Sequence, residues 1–278
     1  MTEPTQVIEQ TQVTEPTESG EPMTVPGQAS TRPVALVTGV GRRAGIGAAI
    51  AERLAATGWD VGFTYWRPYD GRMPWGTDSE TAAQVSKKVE ELGGRSHSIQ
   101  ANLEDLATPT AIFDGVWAVL GPVQALVLAH CESVDSGLLT TTVDSFDRHF
   151  AVNARASWLL IREFAQRFAS PHGSGRILAL TSDATVENLP YGASKGALDR
   201  ITLAAAKELS QLGITANVIN PGPTDTGWMS PELADSVKRA TPLGRLGQPV
   251  DCANLVAFLC SPEGGWINGQ LLHSDGGF

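Results

Sequence analysis

Apolar and polar residues alternate along this chain at two periods, and the switching between them predicts most of the elements. The short continuous apolar run Val34–Val37 reads as a strand buried on both faces of a parallel sheet, and residues 59–65, 96–101, 123–130, 175–181, 214–219 and 270–274 read as the further strands. Between them lie stretches whose apolar positions recur at helical spacing, over residues 48–57, 79–92, 107–119, 143–168, 191–212, 231–239 and 249–260. Gly58 and the Gly93-Gly94 pair are natural helix stops. Residues 66–78 (WRPYDGRMPWGTD) read as a loop from their Pro and Gly content. Seven strands alternating with helices, with no break in composition, predict one α/β domain over residues 33–278, with a doubly wound, Rossmann-type seven-stranded parallel sheet covered on both faces.

Residues 1–32 have a different texture. They are rich in Thr, Glu, Pro and Gln, repeat the fragment TEPT, and offer no apolar face. A disordered acidic leader is the expectation. The chain of 278 residues carries a formal charge of −10, which argues against nucleic acid or an anionic membrane surface as partner. No apolar run approaches a membrane span, and no secretory signal is visible. Three cysteines without metal-like spacing, two of them in an apolar helical pattern, fit a reducing, cytoplasmic setting and no metal site.

Chemistry is concentrated in two stretches. After the first strand comes TGVGRRAGIG, with Gly39, Gly41, Gly45, Ile46 and Gly47 leading into a helix. Glycines there let the backbone turn tightly and approach a pyrophosphate seated on free helix amides. The end of the second strand shows Tyr65, Trp66 and Arg67 in place of the acidic residue that usually takes the ribose hydroxyls of NAD. Arg42, Arg43 and Arg67 suit an adenosine 2′-phosphate, so NADPH is preferred over NADH; Asp70 is the carboxylate able to reach back. The second stretch, residues 181–195 (TSDATVENLPYGASK), places Ser182 at a strand end and Tyr191 four residues before Lys195. On a helix the phenol and the ammonium share a face, and a cation favours the phenolate.

Together, the strand–glycine loop–helix and the Ser…Tyr-x-x-x-Lys pattern resemble the short-chain dehydrogenase/reductase family, over about residues 33–278. Asn153 in FAVNARAS, the segment NPGPTDT at 220–226 and the ending GQLLHSDGGF match further family features. The resemblance implies that Tyr191 is the general acid in ketone reduction, that Lys195 lowers its pKa and binds the nicotinamide ribose, and that Ser182 polarises the substrate carbonyl. It implies that Asn153 holds a water in the proton relay. Thr226 and the backbone around Pro221, Gly222 and Thr224 would anchor the carboxamide, and Asn102 and Leu103 would hold adenine. A 3-oxoacyl-thioester reductase-like ketoreductase acting on a small-molecule or acyl-thioester carbonyl, assembled as a homotetramer or dimer, is the implied enzyme.

The sequence departs from the family at three places. Five residues, Val40 to Ala44, separate Thr-Gly from Gly-Ile-Gly where three are usual. Leu128, Ala129, His130 and Cys131 replace Asn-Asn-Ala-Gly, His130 reading as a strand-end residue that fills the gap. The interval from Ser182 to Tyr191 is four residues shorter than usual. These departures keep a second reading open, a catalytically silent NADP-binding protein of the same fold. For a substrate lid the sequence offers Trp228, Met229, Leu233 and Val237, with Thr185, Val186 and Leu189 for the opposite wall.

Overall fold

A computed structural model describes residues 32–278, and the leader expected over residues 1–32 lies outside the described residues except for Arg32. Arg32 belongs with the domain: its guanidinium donates to the carbonyls of Ala55 and Trp59 at 2.6 and 3.0 Å and faces the buried carboxylate of Asp60.

The seven strands are β1 (Val34–Thr38), β2 (Asp60–Tyr65), β3 (Ser96–Gln100), β4 (Val123–Leu128), β5 (Gly175–Leu180), β6 (Ile214–Asn220) and β7 (Leu271–His273). They form one parallel sheet in the order β3-β2-β1-β4-β5-β6-β7. Burial follows this order. The central strand β1 is buried at every position, whereas β3, at one edge, is half-buried and β7, at the other, is partly exposed.

The helices are α1 (Ile46–Ala56), α2 (Arg67–Asp70), α3 (Thr81–Glu91), α4 (Thr108–Leu120), α5 (Val143–His149), α6 (Ala156–Arg167), α7 (Leu189–Glu208), α8 (Pro231–Ala240) and α9 (Pro249–Cys260). Successive residues of a strand point to opposite faces, and β1 shows the consequence. Ala35 and Val37 pack with α1, α3 and α9, while Val34 and Leu36 pack with α4, α6 and α7. Phe63, Phe113 and Phe164 are fully buried in these two layers, each worth about 1.5–3 kcal/mol of burial.

Two elements differ from expectation. The short helix α2 lies inside the predicted loop 66–78, started by Pro68 near its N-terminus, where a fixed φ suits a helix. The continuous helix predicted over 143–168 is interrupted by a π-helical segment at Phe150–Arg155. Apolar spacing continues across that break, so periodicity does not reveal it. The break coincides with a contact to a distant segment: Asn153, buried in the π segment, binds the chain after β4 through its side chain. π-segments of this kind occur often at functional sites.

The strand order reverses at β1, whose neighbours are β2 and β4. In a doubly wound sheet that reversal leaves a crevice at the carboxyl ends of the strands.

Candidate active site

A cavity of about 590 Å³ opens at those strand ends. The turn after β1, the segments after β3, β4 and β5, the loop containing α2, and residues 220–229 after β6 all contribute to its lining. It therefore gathers Gly39, Gly41, Arg42, Gly45, Ile46, Gly47, Asn102, Leu103, Ser182, Tyr191, Lys195, Pro221, Gly222, Thr224 and Thr226 around one space. Arg43, Arg67 and Asn153 are the sequence-derived candidates outside that lining.

The glycine loop is shaped for a close-fitting ligand. Gly39 has φ +80°, and a Cβ there would meet the His130 backbone at 2.6 Å. A Cβ on Gly47 would lie 2.6 Å from the Gly39 carbonyl oxygen. Gly45 caps α1 with no side-chain hydrogen bond, and no acidic residue stands in the first helical turn. The helix start is thus free of competing carboxylates and suits an anion. Those residues fit the pyrophosphate of a dinucleotide.

The arginines separate. Arg43 points to Glu52, 2.5 Å away on α1. Arg67 donates to the Ser79 carbonyl at 2.9 Å and packs over Tyr65. Among the three, only Arg42 lines the cavity, where it donates to the Thr226 carbonyl at 3.0 Å. Asp70 does reach back: its carboxylate lies where a Cβ on Gly41 would meet it at 2.5 Å. Burial raises the Asp70 pKa, while the Trp75 indole N–H and Arg42 oppose that rise. A long loop closing on itself produced this placement, which strand-end reading alone does not specify.

At the other end, α7 carries Tyr191 and Lys195 one turn apart. Ser182, just past β5, lines the cavity with Tyr191 and acts to lower its pKa, so the shortened interval still brings the two residues to one site. The Ser182 Oγ also accepts from the Ala184 amide at 3.2 Å, which fixes the turn. Lys195 is buried; its Nζ donates to the Leu180 carbonyl at 2.8 Å and lies 5.6 Å from the Tyr191 ring centroid. The electrostatics differ from the expectation that the lysine depresses the phenol. Burial dominates and drives the Tyr191 pKa upward, Cys131 adds to it, and the Ser182 hydrogen bond partly offsets it. Burial likewise lowers the Lys195 pKa, against Cys131 and Asp199. Tyr191 is therefore held in its protonated, donor form.

Asn153 uses its side chain on protein. Its Oδ1 accepts from the Glu132 amide at 2.8 Å, and its Nδ2 donates to the Glu132 carbonyl at 2.8 Å and to the Ser194 Oγ at 2.9 Å. With its acceptor and donors so engaged and no exposure, it is a clamp between the chain after β4 and α7. His130 fills the gap beside it. Its Nδ1 accepts from the Thr38 hydroxyl at 2.6 Å, and its Nε2, assigned the proton, donates to the Val152 carbonyl at 3.0 Å. Burial, and then Lys195, push its pKa down to about 3 against the Val152 hydrogen bond. A neutral ring with both nitrogens engaged is structural.

Of the lid candidates, Trp228 and Met229 line the cavity; Leu233 and Val237 do not, and α8 buries no residue. Asp183 and Ala184 line the wall expected from Thr185, Val186 and Leu189, with Val186 83% exposed. Residues missed by sequence reading are Trp66, Tyr69 and Trp75, brought to the cavity by the loop around α2. Among the described residues no group of His, Cys, Asp and Glu is arranged to hold a metal ion, and no helix is long and apolar enough to cross a membrane.

Residues 39–278 match a family model described as enoyl-(acyl carrier protein) reductase. An uncharacterized oxidoreductase of Bacillus subtilis, YjdA, is 35% identical over 254 residues, covering 90% of this chain and 98% of that protein. An NADPH-dependent aldehyde reductase-like protein of Arabidopsis thaliana is 34% identical, covering 88% and 93%. The crystal structure of a short chain dehydrogenase from Burkholderia cenocepacia in complex with NADP superposes with a TM-score of 0.79 at 34% identity, covering 90% of this chain and 99% of that one. With Ser182, Tyr191, Lys195 and the glycine loop on one cavity, these likenesses establish that the chain belongs to the short-chain dehydrogenase/reductase family.

Proposed function

We propose that this protein is an NADPH-dependent reductase of a carbonyl group, or in reverse a dehydrogenase of the corresponding secondary alcohol. The observation that carries the reading is that Ser182, Tyr191 and, one turn on, Lys195 line the same cavity as the glycine loop. The nicotinamide cofactor, when bound, supplies or accepts the hydride. The protein does the rest. Gly39, Gly41, Gly45, Ile46 and Gly47 hold the pyrophosphate against the start of α1, and Asn102 and Leu103 flank the adenine. Arg42 takes the 2′-phosphate, as NADP-bound relatives make reasonable; Arg43 and Arg67 stand outside the cavity. Pro221, Gly222, Thr224 and Thr226 hold the carboxamide end. Ser182 donates to the substrate oxygen, and Tyr191 delivers the proton to that oxygen as it gains charge. Lys195 orients the cofactor ribose and feeds the proton path. Asn153 acts through Glu132 and Ser194, keeping the loop after β4 against α7.

The substrate includes free ketones and 3-oxoacyl thioesters within this reading. A homo-oligomer in a cytoplasmic, reducing setting completes it, supported by exposed Phe146 and Trp158 on the α5–α6 side and by the free cysteines Cys131, Cys252 and Cys260. Loss of NADPH absorbance is the test, with a panel of aldehydes, ketones and acetoacetyl thioesters. Turnover on any of them supports the reading. Tight NADPH binding with no turnover on all of them replaces it with the silent binding protein.

A further inference from the structure

The cavity wall contains a layered stack drawn from three separate segments. Arg42 comes from the glycine loop, Trp75 from the loop after α2, and Trp228 from the segment before α8. The Arg42 guanidinium carbon lies 4.2 Å from the Trp75 ring centroid. Trp75 in turn stacks on Trp228, with centroids 5.2 Å apart and 25° between planes. The Trp75 indole N–H donates to Asp70 Oδ1 at 3.0 Å, which fixes the ring's orientation.

The loop carrying Trp75 is itself fastened to the cavity. Arg72 makes a two-pronged pair with the buried Glu132, at 3.0 and 2.7 Å, and the Tyr69 hydroxyl donates to the Ser133 carbonyl at 3.3 Å. Glu132 is the residue whose backbone Asn153 clamps. Trp75 is therefore held firmly on the loop side, whereas Trp228 is 44% exposed and lies in the segment leading into α8, a helix with no buried residues.

This arrangement joins two parts of the site that have separate duties. Arg42 is the only arginine among the described residues lining the cavity, and its Nη1 donates to the carbonyl of Thr226, two residues before Trp228. A guanidinium stacked by its face on an aromatic ring keeps its edge donors aimed outward, the geometry that grips a phosphate. The same indole gives the lid a surface to close on.

We propose that Trp75 is a positioning residue that couples the phosphate-binding arginine to the substrate lid: it holds Arg42 ready for the cofactor 2′-phosphate and seats Trp228 over the substrate. The inference rests on the NADPH reading above. Trp75 touches no reacting atom, so its effects fall on binding and leave the chemical step largely intact.

The test compares Trp75→Ala and Trp75→Phe with the wild type. Calorimetric titration with NADP+ and NAD+ needs no turnover, circular dichroism reads the coupled signal of the stacked indoles, and steady-state kinetics separate KM from kcat. Trp75→Ala is expected to weaken NADP+ by about 10-fold and NAD+ by less than about 2-fold, through loss of the guanidinium's stacking partner. It abolishes the indole couplet and raises the carbonyl-substrate KM several-fold with kcat little changed. Trp75→Phe restores most of the NADP+ affinity while lacking the couplet. Equal loss for both dinucleotides, or no loss for either, overturns the proposal; so does an effect confined to kcat. If Trp75→Ala does not fold, Trp228→Ala takes its place: loss of the couplet with a raised substrate KM supports the latch, and an unchanged KM overturns it. Should no carbonyl compound be turned over, the proposed function fails, while the NADP+ over NAD+ pattern in Trp75→Ala still decides whether Trp75 holds Arg42.

Discussion

His130 places a titratable ring in the segment Leu128–Cys131, which departs from the family's Asn-Asn-Ala-Gly, and that ring makes stability sensitive to acid. The ring is buried, is held neutral between Thr38 and Val152, and has its pKa depressed from 6.5 to about 3 by burial and Lys195. In the unfolded chain the ring regains its ordinary affinity for a proton. The sign follows: above pH 6.5 neither state is protonated at this site, so the stability is fully present. As pH falls below 6.5 the unfolded state binds the proton first and gains free energy. The slope is about 1.36 kcal/mol per pH unit until the folded pKa near 3 is approached. Between pH 7.5 and 4.5 this single ring therefore removes about 2.7 kcal/mol of stability. His130→Gln keeps an acceptor and a donor near Thr38 and Val152 but cannot titrate. Urea unfolding of both proteins at the two pH values, at one protein concentration, cancels the other acid-sensitive groups. The wild type is expected to lose about 2–3 kcal/mol more than His130→Gln over that interval. Parallel losses, within about 0.5 kcal/mol, would refute the buried neutral ring.

Further substitutions probe the site's supports. Asn153→Ala strands the buried amide and carbonyl of Glu132, so a loss of about 2–4 kcal/mol is expected in denaturant unfolding, with a fall in kcat as the loop after β4 loosens. A loss under about 1 kcal/mol would mean that the clamp is unimportant. Arg42→Ala is expected to raise the KM for NADPH by about 10-fold or more, whereas Arg43→Ala and Arg67→Ala, held by Glu52 and by Ser79 and Tyr65, change it by less than about 2-fold. A larger effect from Arg43 or Arg67 would move the phosphate site.

The sheet was legible because its evidence is local. Runs such as Val34–Val37 and the apolar stretch in β5 are buried strands on composition alone, and the glycine stops at Gly58 and Gly93 fall where α1 and α3 end. Tyr191, Lys195 and the glycine loop were legible for a related reason, since each is a short pattern within one turn or one loop. What sequence left hidden depends on chain segments far apart. The π segment at Phe150–Arg155 coincides with an Asn153 side chain reaching Glu132, 21 residues back, with no trace in the periodicity. The cluster of Arg42, Trp75 and Trp228 needs three loops to converge, and nothing in WRPYDGRMPWGTD tells that its tryptophan faces a cavity. The charge logic was also incomplete. A Tyr–Lys pair at helical spacing suggests a depressed phenol, yet burial raises the phenol's pKa and lowers the lysine's once both are enclosed.

The central claim is that Tyr191 gives the substrate oxygen its proton. Its most direct measurement is kcat/KM of Tyr191→Phe for the best carbonyl substrate, paired with the NADP+ dissociation constant of the same protein. The change removes one hydroxyl and keeps the ring over Lys195, so NADP+ binding is expected to stay within about 2-fold while kcat/KM falls by about 100-fold or more. A Tyr191→Phe protein that binds NADP+ normally and reduces the substrate at the wild-type rate would contradict the account.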